Sequence, residues 1–565
     1  SPRARRGTRR RRRWIVLGLV VVLAVWLALV AVRSVSAYHH DQRGLAALQE
    51  VKGRLSPGEV TASSSIAQLD RAEADFRSAG SDLSGPLFAP VTVVPVVGRQ
   101  LRSVRALSAA AGTVSAVGSQ FLREVHGLLH APHGAGPERV ASLRQLEAAS
   151  IAASHRLEGV GTGPAAGLVA PLASKHDEFV GQLDVARTRL RNAAAVSAAS
   201  AAILTGPQRY LVLAANNAEM RAGSGAFLDV GAATTSDGTV SVGQLEPSGE
   251  HPLPVGAVPV TGDLARNWGW LGPSLDMRNL GTTPRFDVTA PLAARMWTAL
   301  TGEPVDGVVA VDVVAVQQLL EATGPVEVGG QEVSAGSVAQ YLLHDQYAGL
   351  SDNAADANDR TDALGQLARA VLSQLQGQSL DLTALAKSMS GAVTGRHLMV
   401  WSADPTEEAA WKSAGVSGSL TSRSLAVSLV NLGSNKLDPF VPLEVSVATR
   451  PSGSDTEVTA TVTARNTTPP GQSQFVAGPA PGSNLPYGTY SGLVAFNLPG
   501  AATQVTVRGV PSLAVAGRDG PTWAVGGLVT VPAGGTSTVV ARFLLPGQHG
   551  TMQVVPSARV PPEEW

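Results

Sequence analysis

The stretch Arg209–Gly231, RYLVLAANNAEMRAGSGAFLDVG, decides how the chain is divided. Its first part, Tyr210–Ala215, is a short apolar run that reads as a buried strand. Asn216, Asn217, Glu219 and Arg221 follow as a polar turn, then Gly223-Ser224-Gly225 as a bend, and Phe227–Thr234 as a second strand. Before this stretch the apolar residues recur at helical spacing. After it strands alternate with helices, and beyond Asp438 only period-two alternation remains.

The spacing therefore predicts a multi-domain α+β protein, as a chain of 565 residues exceeds what one core serves. The expected order is an Arg-rich tail over 1–13, a transmembrane helix over 14–32, a helical bundle or stalk over 39–205, a central α/β domain over 206–437 and an immunoglobulin-like β-sandwich over 438–560. Trp14–Val32 holds 19 residues without a charge. At helical rise it spans ~28 Å, about one hydrocarbon core. Eight arginines and no acid precede it. By the positive-inside rule they hold that end in the cytoplasm and place the bulk of the chain outside. A cleaved signal peptide with Val35-Ser36-Ala37 as its processing site is the alternative; the length of the run favours the uncleaved anchor.

Charge narrows the partners. Lys+Arg and Asp+Glu are both 44, but outside the tail 36 basic residues face 44 acidic ones. A mildly acidic body argues against nucleic acid as a partner. The chain has no cysteine, which excludes disulfides, thiolate zinc sites and cysteine nucleophiles.

In the bundle region, Ile66, Leu69, Phe76 and Leu83 share one helix face, and Leu101, Val104, Leu107, Val114, Phe121 and Leu122 another. Breaks are expected at Ser56–Gly58, Gly85–Pro95, Ala131–Pro137 and Gly159–Pro164. About four helices acting as a spacer is the reading preferred to a sensing bundle, since no polar cluster marks a pocket. His126, His130 and His133 straddle a break and read as surface residues more readily than as metal ligands.

In the central region, strands are expected over Tyr210–Ala215, Phe227–Thr234, Thr239–Leu245, Gly307–Val311 and Leu398–Trp401. Helices are expected over Thr289–Thr301, Val313–Ala322, Ser337–Leu343 and Arg360–Leu375, with a hairpin at Gly329-Gly330. Two constellations carry chemistry. Asn216, Asn217, Glu219 and Arg221 lie at a strand end, where ligands sit in open α/β sheets. Asp352 to Asp362 precedes an apolar helix; its acids suit a helix start, whereas Arg360 there requires a partner. Asp359 could simply cap that helix. No Ser-His-Asp order, Walker loop, HExxH or zinc spacing occurs.

The segments RYLVLAANNAEMRAGSGAF, PVDGVVAVDVVAVQQLLEATGPVEV, NDRTDALGQLARAVLSQL, GRHLMVWSADPTEEAAWKSAGVSG and VNLGSNKLDPF together resemble the bacterial domain-of-unknown-function family 4012, single-pass envelope proteins common in actinobacteria. Upstream, PVVGRQLRSVRALSAAAGTV resembles the same family's helical region. The order of elements is also distantly similar to that of the LytR-CpsA-Psr phosphotransferases, which move lipid-pyrophosphate-linked glycopolymers to the cell wall. That likeness implies phosphate binding by Arg221 and Arg360, with Arg285 a further candidate. It also implies proton transfer or Mg²⁺ binding by Glu219 or Asp359. The Arg-x-Asp motif of those enzymes is replaced here by Asn-Asn-Ala-Glu-Met-Arg. The preferred expectation is thus a membrane-anchored extracytoplasmic envelope protein that binds or organises glycopolymer or a partner. The alternative is a transferase acting on polyprenyl-phosphate lipids.

Overall fold

The apolar run Trp14–Val32 is part of one unbroken helix, α1 (Ala4–Lys52). Leu, Val and Ala fill it, and no proline interrupts it, so nothing stops the helix at the end of the apolar run. The anchor and the first helix of the bundle, expected as separate elements, are therefore one rod. Among the described residues α1 alone is long and apolar enough to cross a membrane. The computed structural model describes residues 4–52, 62–131, 136–250, 252–343, 363–377, 382–479, 482–547 and 551–565. It divides into two compact units, Ser1–Ala131 with Arg144–Ser197, and Pro132–Leu143 with Ala198–Trp565.

The first unit is helical: α1, α2 (Ser63–Asp82), α3 (Pro95–His130), and most of α4 (Pro137–Glu158) and α5 (Ala170–Thr205). The helices stop at the expected Gly/Pro stretches; the Ser56–Gly58 break lies outside the described residues. On α2, Ile66, Leu69, Ala72, Phe76 and Ala79 are buried, the i, i+3, i+4 stripe of a core-facing helix. Phe76 is 2% exposed and lies against Gly44 of α1, where an added Cβ would meet its ring at 2.8 Å. The buried face of α3 is made largely of Gly, Ala and Ser, so its neighbours approach closely. Asp41 accepts from Ser108 Oγ at 2.9 Å, and Arg33 pairs with Asp82 at 2.8 Å.

The second unit opens on β1 (Gln208–Met220) and β2 (Gly225–Ser236), which pair antiparallel. They belong to a six-stranded sheet ordered β3–β2–β1–β5–β8, with β3 (Thr239–Val242), β4 (Glu246–Pro247) paired to β2, β5 (Gly307–Asp312) and β8 (Leu398–Ser402). β1 and β5 run parallel, and α6 (Phe286–Thr301) lies between them in the chain. Asp312 caps α7 (Val313–Thr323), accepting from Val314 N at 2.9 Å and Ala315 N at 3.2 Å. A small hairpin, β6 (Val326–Val328) and β7 (Gln331–Val333), packs with α7, α8 (Val338–Leu343) and α9 (Ala363–Gly377) in a satellite core. α10 (Leu382–Thr394) and α11 (Pro405–Ala414) flank β8.

Two further sheets close the unit. One is ordered β10–β11–β16–β13, from β10 (Leu443–Ser452), β11 (Asp455–Arg465), β16 (Thr536–Leu545) and β13 (Thr503–Arg508). The other is ordered β14–β15–β12–β9–β17, from β14 (Leu513–Asp519), β15 (Thr522–Val531), β12 (Tyr490–Leu498), β9 (Ser424–Asn431) and β17 (Gln553–Val555). Val445, Val458, Val462 and Phe543 of the first share one core with Val427, Val494, Phe496 and Val529 of the second.

Two expectations are corrected. The boundary at 438 falls too late, because β9 is already an inner strand of the five-stranded sheet, paired with β12 and β17. All eight of its residues are buried, so it lacks the alternation that marks a half-exposed strand. The expected separation of central domain and sandwich also gives way. The core of the six-stranded sheet, with Leu211, Phe227, Trp268, Met296 and Val308, takes in Leu493, Ala495, Val515 and Ala524 from the five-stranded sheet.

Candidate functional site

Asn216, Asn217 and Glu219 do not form a turn. They are the last residues of β1, which continues past two irregularities to pair Met220 with Gly225; the reversal is Arg221–Ser224. The sequence reading took polar residues to mean an exposed loop. Here they are nearly enclosed, with Asn216 9% and Asn217 0% exposed, and most of their polar groups are bound within the protein. Asn216 Oδ1 accepts from Ala218 N at 2.8 Å. Asn217 Nδ2 donates to Asp312 Oδ2 at 2.7 Å and to Ala558 O at 2.6 Å.

Glu219 sits between two cations. One carboxylate oxygen accepts from Arg221 at 2.9 Å and the other from Lys436 at 2.6 Å. Burial disfavours its charge, yet Lys436 and Arg221 hold the carboxyl at about 2. The Arg221 guanidinium has further acceptors in Arg278 O at 2.8 Å, Met220 O at 3.3 Å and Asn431 O of β9 at 3.3 Å. These contacts make the expected phosphate ligand and the expected acid a strap between β1 and the segment following β9. A carboxylate with both oxygens on cations is also a poor Mg²⁺ ligand, since a divalent ion would be placed against two positive charges.

Next to this strap lies Asp438. Its Oδ2 accepts from Met220 N at 2.9 Å and Asn431 Nδ2 at 2.8 Å; its Oδ1 accepts from Tyr490 Oη at 2.9 Å and Arg559 at 2.8 Å. Four donors compensate a carboxylate that is 0% exposed. Burial and the Asp438 charge push the Tyr490 hydroxyl well above its ordinary value. Sequence reasoning gave no site role to Lys436, Asp438 or Arg559. The one local signal of the first two is the run NKLDPF, two opposite charges beside a helix-starting proline.

Arg285, also expected at phosphate, faces protein carboxylates instead, Asp519 Oδ1 at 3.3 Å and Asp287 Oδ2 at 3.4 Å. Asp519, at the end of β14, further accepts from Thr283 Oγ1 at 2.8 Å and Asn497 Nδ2 at 3.0 Å. Arg396 is buried nearby and donates to Pro284 O and Gly418 O; burial lowers its pKa to about 10 against the pull of Asp287 and Glu563.

At the C-terminal ends of the parallel strands β1 and β5, Asp312 Oδ2 lies 2.6 Å from His397 Nδ1. Asp312 is anchored by the start of α7 and by Asn217, so it fixes the imidazole ring. Asn217 Oδ1 is buried and accepts no hydrogen bond. An oriented imidazole of this kind can take or give a proton at Nε2. His397 was not singled out in the sequence, because its partner lies 85 residues upstream.

Asp359 and Arg360 lie outside the described residues, as does His133. His126 and His130 stack at 4.0 Å between ring centroids on α3. Among the described residues, no group of three or more His, Cys, Asp or Glu side chains is placed to hold a metal ion.

Residues 205–347, from the end of α5 to just past α8, match the family described as Protein of unknown function (DUF4012). This stretch belongs to the DUF4012 family. The DUF4012 region thus supplies Asn217, Glu219, Arg221, Arg285 and Asp312, whereas His397, Lys436, Asp438, Asp519 and Arg559 come from beyond it. No curated protein and no solved structure matches the chain.

Proposed function

We propose that the protein is a membrane-anchored extracytoplasmic envelope protein that binds or organises glycopolymer or a protein partner, and that its polar stretch from Asn216 to Arg221 is architectural. The observation that carries this reading is the state of Arg221 and Glu219. Every guanidinium nitrogen of Arg221 is bound to a protein acceptor, and both Glu219 oxygens are bound to cations. Groups held in this way join two parts of one unit and are costly to redirect to a ligand. The apolar helix and its arginine-rich flank support the anchored location.

The test is cosedimentation of the full chain in nanodiscs with purified cell-wall glycopolymer, alongside turnover assays with a polyprenyl-pyrophosphate-linked glycan. Binding without release of polyprenyl phosphate is expected. Turnover that Arg221→Lys abolishes while folding stays normal would overturn the reading.

A second reading, the LytR-CpsA-Psr-like transferase, draws support from Asp312 and His397. A fixed imidazole at the ends of parallel strands is a chemically competent base. It predicts turnover of the polyprenyl-pyrophosphate-linked glycan that His397→Gln removes.

A further inference from the structure

The connection between α2 and α3 is free of charge from Gly85 to Gly98, GPLFAPVTVVPVVG. It holds a one-turn helix, Ala89–Thr92, and four outward valines: Val93, Val94, Val96 and Val97 are 78%, 45%, 65% and 52% exposed. Singly exposed valines need no explanation, but four in five positions do.

The segment's position supplies one. Trp26, in the apolar run of α1, donates from Nε1 to Leu87 O at 2.9 Å. Val30 and Ala37 of α1 pack in one cluster with Leu83, Leu87, Phe88 and Val91. Trp26, Val30 and Ala37 are therefore the stripe of α1 that faces the connection. The rest of the run is outward, with Val22, Leu23, Val25, Leu27 and Leu29 all more than half exposed. Trp26 precedes Arg33 by two helical turns, about 10 Å along the axis. With Arg33, paired to Asp82, at the water boundary, Leu87 lies at a depth that interfacial apolar segments reach.

Part of the backbone polarity is met at that depth. Irregular chain near lipid must satisfy its own polar groups. Pro86, Pro90 and Pro95 carry no N–H. Phe88, Ala89, Val91, Thr92, Val94 and Gly98 donate within the segment, Thr92 Oγ1 returns to Ala89 O, and Arg102 covers Thr92 O.

We infer that Leu87–Val97 is a second membrane element, a wedge that seats its valines in the acyl chains of the bilayer leaflet on the bundle side, beside α1. The inference rests on α1 spanning the membrane, and the test separates the two. The chain has no native cysteine, so single cysteines report without background. Val93→Cys and Val97→Cys are placed in the wedge, Leu23→Cys in the anchor and Thr113→Cys on an exposed turn of α3. Each full-length variant is labelled with an environment-sensitive fluorophore in nanodiscs of phosphatidylglycerol and phosphatidylethanolamine, with and without brominated acyl chains. The wedge labels are expected to lose fluorescence to brominated lipid as the Leu23 label does, while the Thr113 label loses none. Quenching at Leu23 with none at Val93 or Val97 would overturn the wedge and leave the anchor standing. Absence of quenching at all four sites would overturn both.

Discussion

Arg559 reaches back 121 residues to Asp438, and the two groups meet at 2.8 Å with 1% and 0% of their side chains exposed. The guanidinium also donates to Val441 O at 2.8 Å and Asp438 O at 3.2 Å. Removing one partner strands the other as a buried charge, which costs roughly 3–5 kcal/mol, whereas an apolar replacement of both is far milder. Arg559→Met is expected to lower the unfolding free energy of the second unit by about 3–5 kcal/mol, read as a drop in its urea midpoint. Adding Asp438→Leu to it should recover only part of that loss, because Met220 N, Asn431 and Tyr490 also donate to Asp438. Urea titration followed by tryptophan fluorescence measures each step.

Glu219 sets a pH dependence. Its carboxyl sits at about 2 in the folded chain against an ordinary 4.5. A depressed folded value stabilises the fold above the unfolded pKa, and that stabilisation is lost as pH falls from there through the folded value. The shift corresponds to at most roughly 3 kcal/mol. Glu219→Gln is expected to be less stable than wild type at pH 6, with the gap closing between pH 4.5 and 2. Paired denaturation curves across that range give the answer, and a constant gap would refute the assignment.

In the bundle, Phe76 is the side chain around which α1, α2 and α3 close. Phe76→Ala should cost ~3–5 kcal/mol, since the Gly44 and Gly112 backbones cannot fill the space left behind. Helical circular dichroism during urea unfolding is the readout. A change under 1 kcal/mol, on the order of a surface substitution, would show that the ring is dispensable.

Gly225 tests the tightness of the hairpin. A Cβ there would lie 2.2 Å from Asn216 O, a backbone atom with nowhere to go. Gly225→Ala is expected to destabilise the second unit by about 1–3 kcal/mol through overpacking. Gly181→Ala on α5, where a Cβ meets nothing within 4 Å, should be neutral or gain up to about 1 kcal/mol. Thermal unfolding of both variants provides the comparison.

The helices were legible because their stripes and their Gly/Pro stops are local: Ile66, Leu69 and Phe76 announce α2, and Pro95 announces α3. β1 was legible only as far as Ala215. Asn216 to Glu219 look like loop residues, and what keeps them in the strand is a set of partners 95 to 341 residues away. β9 escaped notice for the opposite reason, being buried on both faces and so without alternation. Arg221 and Glu219 stand out by residue type, but sequence does not reveal that Lys436, 217 residues from Glu219, lies beside them. Asp312 is the cap of α7, a role its place before an apolar helix makes legible, but that its second oxygen holds His397 is not.

The unbroken α1 has a mechanical consequence. Beyond Val32 the rod runs on for about 30 Å to Lys52 with no break in the helix. Bilayers of different thickness tilt a spanning helix to different degrees. In the anchored protein proposed above, a lean of about 10° would carry the far end of this rod sideways by about 5 Å, so lipid composition would act on the stretch from Val32 to Lys52 as a hand acts on a lever.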